Sequence, residues 1–114
     1  MSQVRVRGAA LRRDLREALE RFEEVGDVRG RGYLIGIEFV RNRTTREPFP
    51  AERALSHSVG AQALEDGLIC YPCAGNVGGA LGDTIIVAPP FNAREAELSE
   101  LVEKLSGAVK RTLA

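Results

Sequence analysis

The stretch Val25–Val40, VGDVRGRGYLIGIEFV, decides how this chain folds. Its first half is rich in turn formers, with Gly26-Asp27 and Arg29-Gly30-Arg31-Gly32 around one short apolar position. Its second half, Tyr33–Val40, has the β-branched and aromatic content of a strand. Gly30 and Gly32 let the backbone turn where a residue bearing Cβ would be strained. The stretch therefore predicts two short strands joined by a tight glycine turn, the second strand largely buried.

On the N-terminal side, Leu11, Leu15, Ala18, Leu19 and Phe22 recur at helical spacing. They predict an amphipathic helix over Ala9–Phe22, ended by Gly26 as a left-handed stop. Residues 1–8 read as a loose start, with Val4 and Val6 alternating against Arg5 and Arg7, either a frayed strand or a remnant of something longer.

On the C-terminal side, Arg41–Arg46 is a charged loop, and Glu47-Pro48-Phe49-Pro50 is stiffened by its two prolines. A second helix is expected from Ala51 or Glu52 to Glu65, with Ala54, Leu55, Ser58, Val59, Gln62 and Ala63 inward and Gly67 as its stop. His57 falls off that stripe and reads as a surface histidine. Leu68–Tyr71 reads as a short strand. Pro72–Asp83, with glycines at 75, 78, 79 and 82, reads as a flexible loop. Thr84–Ala88 is a buried strand ended by Pro89-Pro90. The last helix shows Asn92 and Glu95 at capping-box spacing and an apolar face of Leu98, Leu101, Val102, Leu105, Ala108 and Val109. The expected fold class is α+β, a small mostly antiparallel sheet with helices packed on one face, as a single domain over 1–114.

Composition agrees. Hydrophobic residues at 44% and charged residues at 28% are ordinary for a globular domain, and 114 residues suit one domain and not two. The formal net charge is zero, which gives no argument for nucleic acid or an anionic membrane. No apolar run approaches a membrane span and no signal peptide precedes the first helix, so a cytoplasmic location is expected. Residues 1–47 carry 11 arginines against 8 acids. Many of these sit at helical spacing, as in Arg13/Glu17, Arg16/Glu20 and Glu17/Arg21, which predicts a self-paired, solvated face.

Familiar catalytic patterns fail on context. Cys70 and Cys73 form C-x-x-C, but a strand precedes them and no helix N-terminus follows to lower a thiol pKa. A zinc site lacks two further ligands, since His57 is the only histidine. Gly30-x-Gly32-x-x-x-Gly36 runs into a strand, whereas a dinucleotide fingerprint opens a helix. No nucleophile elbow is present. Glu38, on a buried-looking strand, calls for a structural ion pair with Arg29 or Arg31. No catalytic, cofactor-binding or metal residue is assigned.

Taken in order, Val28-Arg29-Gly30-x-Gly32-x-x-x-Gly36-Ile37-Glu38, Glu47-Pro48-Phe49-Pro50, Gly67-Leu68-Ile69-Cys70-Tyr71-Pro72 and Gly82-Asp83-Thr84-Ile85-Ile86-Val87-Ala88-Pro89-Pro90-Phe91 resemble the C-terminal small domain of class III pyridoxal-phosphate aminotransferases, the ornithine and ω-amino acid type. The resemblance implies a chain that shapes the substrate side of an active site and is not catalytic alone. Its partners are expected to be the large domain, absent here, and further copies in a homo-oligomer, a homodimer by resemblance. Pyridoxal phosphate is expected in the parent enzyme and not in this chain alone. The Schiff-base lysine of the family lies in the large domain, and the only lysines here, Lys104 and Lys110, fall on the polar side of the last helix.

The substrate-facing residues are expected at Pro72, Cys73, Gly75 and Asn76. Members that act on α-carboxylates resemble I-I-R-F-A-P-P. Ile86 stands where that arginine would be, which points to an amine or ω-amino acid substrate or to a carboxylate-binding group taken from the large domain. The other reading is a free-standing α+β binding module that self-associates.

Overall fold

The computed structural model describes residues 2–77, 81–90 and 92–113. Helix α1 (Ser2–Leu19) leads into a hairpin of β1 (Val25–Arg31) and β2 (Leu34–Phe39). A single 3-10 turn, Ala51–Arg53, precedes α2 (Leu55–Glu65). A second hairpin, β3 (Tyr71–Val77) and β4 (Leu81–Val87), is followed by α3 (Glu95–Leu113). The four strands form one sheet in the order β1-β2-β4-β3, and every neighbouring pair is antiparallel. This is the α+β layer the sequence predicts.

The central stretch folds as expected. Only Gly32 of the two turn residues has positive φ, at 52°, as in a two-residue hairpin with glycine first. Along β2 the residues alternate. Ile35, Ile37 and Phe39 are at most 1% exposed, while Leu34 is 62% exposed. Pairing carries this alternation across the sheet, through Val28↔Ile37, Ile37↔Ile85 and Ile35↔Val87. All three helices lie on that buried side, contributing Leu11, Leu15 and Leu19, then Leu55, Val59 and Ala63, then Leu98, Leu101, Leu105, Ala108 and Val109. One hydrophobic core results.

The ends of the elements depart from the sequence reading, each for a local reason. Residues 2–8 are helical and not strand-like. Val6 is 68% exposed, and the helix propagates back from its docked face. That docking is close: a Cβ on Gly8 would overlap the backbone of Gly32. The helix stops at Leu19 and not at Phe22, and Gly26 lies inside β1. Arg43 ties down the turn that follows, donating to Glu20 O at 2.9 Å and also to Phe22 O and Val25 O.

The arginines of α1 also serve the sheet. β1 is an edge strand, and Arg16 donates to Val28 O through Nε at 3.0 Å and Nη2 at 2.8 Å. Arg12 donates to Gly30 O. Free edge carbonyls that could recruit another strand are thus blunted. The self-paired helix face expected for Arg16 gives way to this use.

The second helix is broken at Ala54, which adopts a left-handed conformation (φ 46°, ψ 47°) between the 3-10 turn and α2. Ala54 supplies no side-chain cap. Asp83, 5% exposed on β4, accepts the Ser56 N–H at 2.9 Å and caps α2 from across the core. At the other end Gly67 (φ 84°) donates to Leu64 O, and Leu68 donates to Ala63 O, which completes a Schellman stop.

The largest correction concerns Pro72–Asp83. Most of its described residues form strand and not loop: Tyr71↔Ile86, Pro72↔Ile85, Cys73↔Thr84 and Ala74↔Asp83 pair before a bulge, and Val77↔Leu81 after it. A proline is tolerated there because β3 is an edge strand. Leu68–Cys70 lies ahead of the strand, which begins at Tyr71. Gly78, Gly79 and Phe91 lie outside the described residues. On α3 the capping pair sits two residues later than expected. Glu97 Oε1 accepts the Arg94 N–H at 2.9 Å, because Pro90 and the buried Ala93 first close a turn.

Candidate functional site

The helix-free face of the sheet brings together Cys73 and Ile86, two of the positions that the sequence singles out for function. Register places Arg29 beside Gly36, Gly36 beside Ile86, and Ile86 beside Tyr71, all facing away from the helices. Next to that row run Asp27, Glu38, Thr84 and Cys73. Tyr71 is 58% exposed, and Leu34 and Arg31 complete the surface near the β1–β2 turn. A shallow depression of about 550 Å³ is lined by Arg29, Arg31, Leu34, Gly36, Thr84 and Ile86.

Charge on this face is organised around Glu38. Arg46 Nη2 lies 3.2 Å from Glu38 Oε1 and Arg29 Nη1 lies 3.5 Å from it, with Asp27 3.1 Å from Arg29. The expected structural ion pair is present, with Arg46 from the loop in the place foreseen for Arg31. Arg46 adopts positive φ (61°) on the way there. The Thr84 hydroxyl is buried without a partner in this structure.

The four residues expected on the substrate side divide. Pro72 turns toward α2, where its ring lies 3.5–3.7 Å from the position of a Cβ on Gly60. Cys73 is on the helix-free face, opposite Thr84, with its thiol donating to Tyr71 O at 3.8 Å. Gly75 and Asn76 belong to β3, beyond the Ala74 pairing. Tyr71 stands in the sequence as the end of a strand and within the Gly67–Pro72 motif. Only the register of β3 against β4 reveals that it flanks Ile86.

A second concavity, of about 450 Å³, lies between the start of β3 and α3, lined by Leu68, Ile69, Val87, Pro89, Leu101 and Lys104 among others. Lys104 Nζ is 2.7 Å from Glu100, and its side chain is 31% exposed. Lys110 is exposed on α3. Cys70 and Cys73 are free thiols, and burial pushes the Cys70 thiol up. Among the described residues no three His, Cys, Asp or Glu side chains converge as metal ligands. His57 is exposed on α2.

Comparison with known proteins places this geometry. Residues 1–109 match the family model described as Aminotransferase class-III. The chain is 38% identical over 109 residues to the aminotransferase YodT of Bacillus subtilis, covering 96% of this chain and 24% of that protein. It is 37% identical over 92 residues to the adenosylmethionine-8-amino-7-oxononanoate aminotransferase of Methanocaldococcus jannaschii, covering 81% of this chain and 18% of the other. Among solved structures, a transaminase from the marine bacterium Virgibacillus superposes with a TM-score of 0.86 at 30% identity, over 95% of this chain and 24% of that one. A PMP-bound aminotransferase from Vibrio fluvialis gives 0.79 at 26% identity, over 92% and 21%. The chain thus spans about a quarter or less of the length of these relatives.

Proposed function

The chain belongs to the class III aminotransferase family, corresponding to about a quarter of such an enzyme, and from that premise we propose that it is the C-terminal small domain of a pyridoxal-phosphate-dependent transaminase. Its task is to wall the substrate side of the active site, while the remaining polypeptide holds the cofactor and makes and breaks bonds. Bound there, pyridoxal phosphate supplies the aldehyde that takes up an amine and the ring that stores its electrons. The observation that carries this reading is the match of residues 1–109 to that family, together with the 24% of a relative's length that the chain spans.

The side offered to substrate is the β3–β4 hairpin, with Pro72, Cys73, Gly75 and Asn76 on β3. Ile86 and Tyr71 form its apolar floor on the helix-free face. Isoleucine at position 86, where members acting on α-carboxylates carry an arginine, favours an amine or an ω-amino acid, or leaves carboxylate binding to the remaining polypeptide. The working assembly in this reading is a cytoplasmic homodimer.

The test uses the full translation product that contains these residues. Reduction with borohydride in the presence of pyridoxal phosphate, followed by peptide mass mapping, is expected to mark a lysine outside residues 1–114. A reduced adduct on Lys104 or Lys110 would sink the proposal. Ile86→Arg is expected to improve α-carboxylate acceptors relative to amines, and an unchanged ratio would remove the proposed floor.

A further inference from the structure

Asp83 lies on the helix side of β4, in line with Ile85 and Val87, and is 5% exposed. A carboxylate among such side chains is costly unless a donor meets it. The donor is the Ser56 N–H at 2.9 Å, in the first turn of α2. A serine or aspartate at position 54 would reach the same N–H more directly, yet Ala54 supplies no side-chain cap. What the longer route adds is a tie between α2 and β4.

The tie falls at a telling place. Ala74↔Asp83 is the last pair before the bulge in the β3–β4 ladder, and Gly75 and Asn76 follow directly on β3. A second contact with α2 holds the same hairpin lower down. The Pro72 ring lies 3.5–3.7 Å from where a Cβ on Gly60 would stand, and Pro72 pairs with Ile85. Ser56 and Gly60 are about one helical turn apart, so both contacts lie along one face of α2.

We propose that α2 sets the height of the β3–β4 hairpin over the substrate. Asp83 is the positioning residue that fixes the hairpin's base through the Ser56 N–H, and Gly60 leaves room for Pro72. The inference rests on the reading above that this hairpin walls the substrate side of a transaminase. Asp83 acts from the opposite face of the sheet and touches no substrate. Its loss frees the wall to yield to larger donors.

The test uses the full translation product with pyridoxal phosphate and measures amine transfer from isopropylamine and benzylamine, and from β-alanine and δ-aminovalerate. Asp83→Ala is expected to raise kcat/KM for the larger donor of each pair, relative to the smaller, by about fivefold or more. The gain is expected in the KM of the larger donor, with kcat for the smaller one within about twofold of wild type. Asp83→Asn keeps an acceptor for the Ser56 N–H and is expected to hold the wild-type ratio. Gly60→Val presses Pro72 from the α2 side toward the helix-free face, and is expected to lower the ratio. Amide hydrogen exchange across Tyr71–Val77 should quicken by about tenfold in Asp83→Ala. Leu15→Ala is the control: it empties core under α1, which packs on β1 at the other edge of the sheet, and should leave both readouts unchanged. An unchanged ratio or unchanged exchange in Asp83→Ala overturns the proposal, and where that variant does not fold, an unchanged ratio in Gly60→Val does so. An equal change in Leu15→Ala overturns it as well, since the effect would be general loosening. A wild-type product that transfers no amine from any of the four donors defeats the transaminase reading itself, and the anchor with it.

Discussion

The two faces of the sheet are built from the same strands by opposite rules. On the helix side, Ile35, Ile37, Phe39, Ile85 and Val87 are at most 1% exposed and belong to one hydrophobic cluster. On the other side, one residue away along each strand, Leu34 and Tyr71 are open and Glu38 is clasped by Arg29 and Arg46. The first face explains why the chain folds, since burial at about 25 cal/mol per Å² is realised there. The second adds little to stability, because exposed ion pairs are worth at most about 1 kcal/mol. What it offers is a surface for something else.

The comparison predicts unequal costs for removing a large side chain. Phe39→Ala should destabilise the domain by about 3–5 kcal/mol, and Leu34→Ala by less than about 0.5. Urea midpoints of the two variants measure the gap, and similar shifts would erase the distinction between the faces. The helix layer itself depends on Asp83. Asp83→Ala strands the buried Ser56 N–H and should cost about 1–2 kcal/mol, whereas Asp83→Asn keeps an acceptor and should cost less. A neutral Asp83→Ala would mean that the cap across the core is idle.

Smaller effects sharpen the picture at the margins of the helix layer. Ala54 holds a left-handed backbone, so Ala54→Gly should stabilise by about 1 kcal/mol in the same denaturation series. Glu97 has its carboxyl pKa lowered, first by the Arg94 N–H it accepts and then by the Arg94 side chain. Its contribution is therefore present above the ordinary carboxylate pKa and lost as pH falls through the lowered one. Stability measured from pH 6 down to pH 3 should fall slightly less steeply in Glu97→Gln than in the wild type. Identical slopes would show the cap to be inert.

Much of this architecture is legible in the amino-acid sequence because its signals are local. The β1–β2 hairpin rests on Gly32 and a strict alternation, and α3 rests on a stripe from Leu98 to Val109. Signals that depend on distant partners are silent. β3 has almost no hydrophobic periodicity, and only the ladder to β4 makes Tyr71–Val77 a strand. Asp83 gives no hint that it caps a helix 27 positions away. The site follows the same division. The family pattern and the missing arginine at Ile86 are readable residue by residue, whereas the Tyr71–Ile86 pair and the bare spot at Gly36 exist only once the register is known.

The most direct test of the account is the mass of the native product, read with an antibody raised against this chain. A 12.4 kDa chain that spans 24% of a relative predicts a parent of about 50 kDa (12.4 divided by 0.24). A band near that mass is the expected result, and it would carry the cofactor outside these residues. A single band at 12.4 kDa would contradict the account and leave the helix-free face in need of another partner.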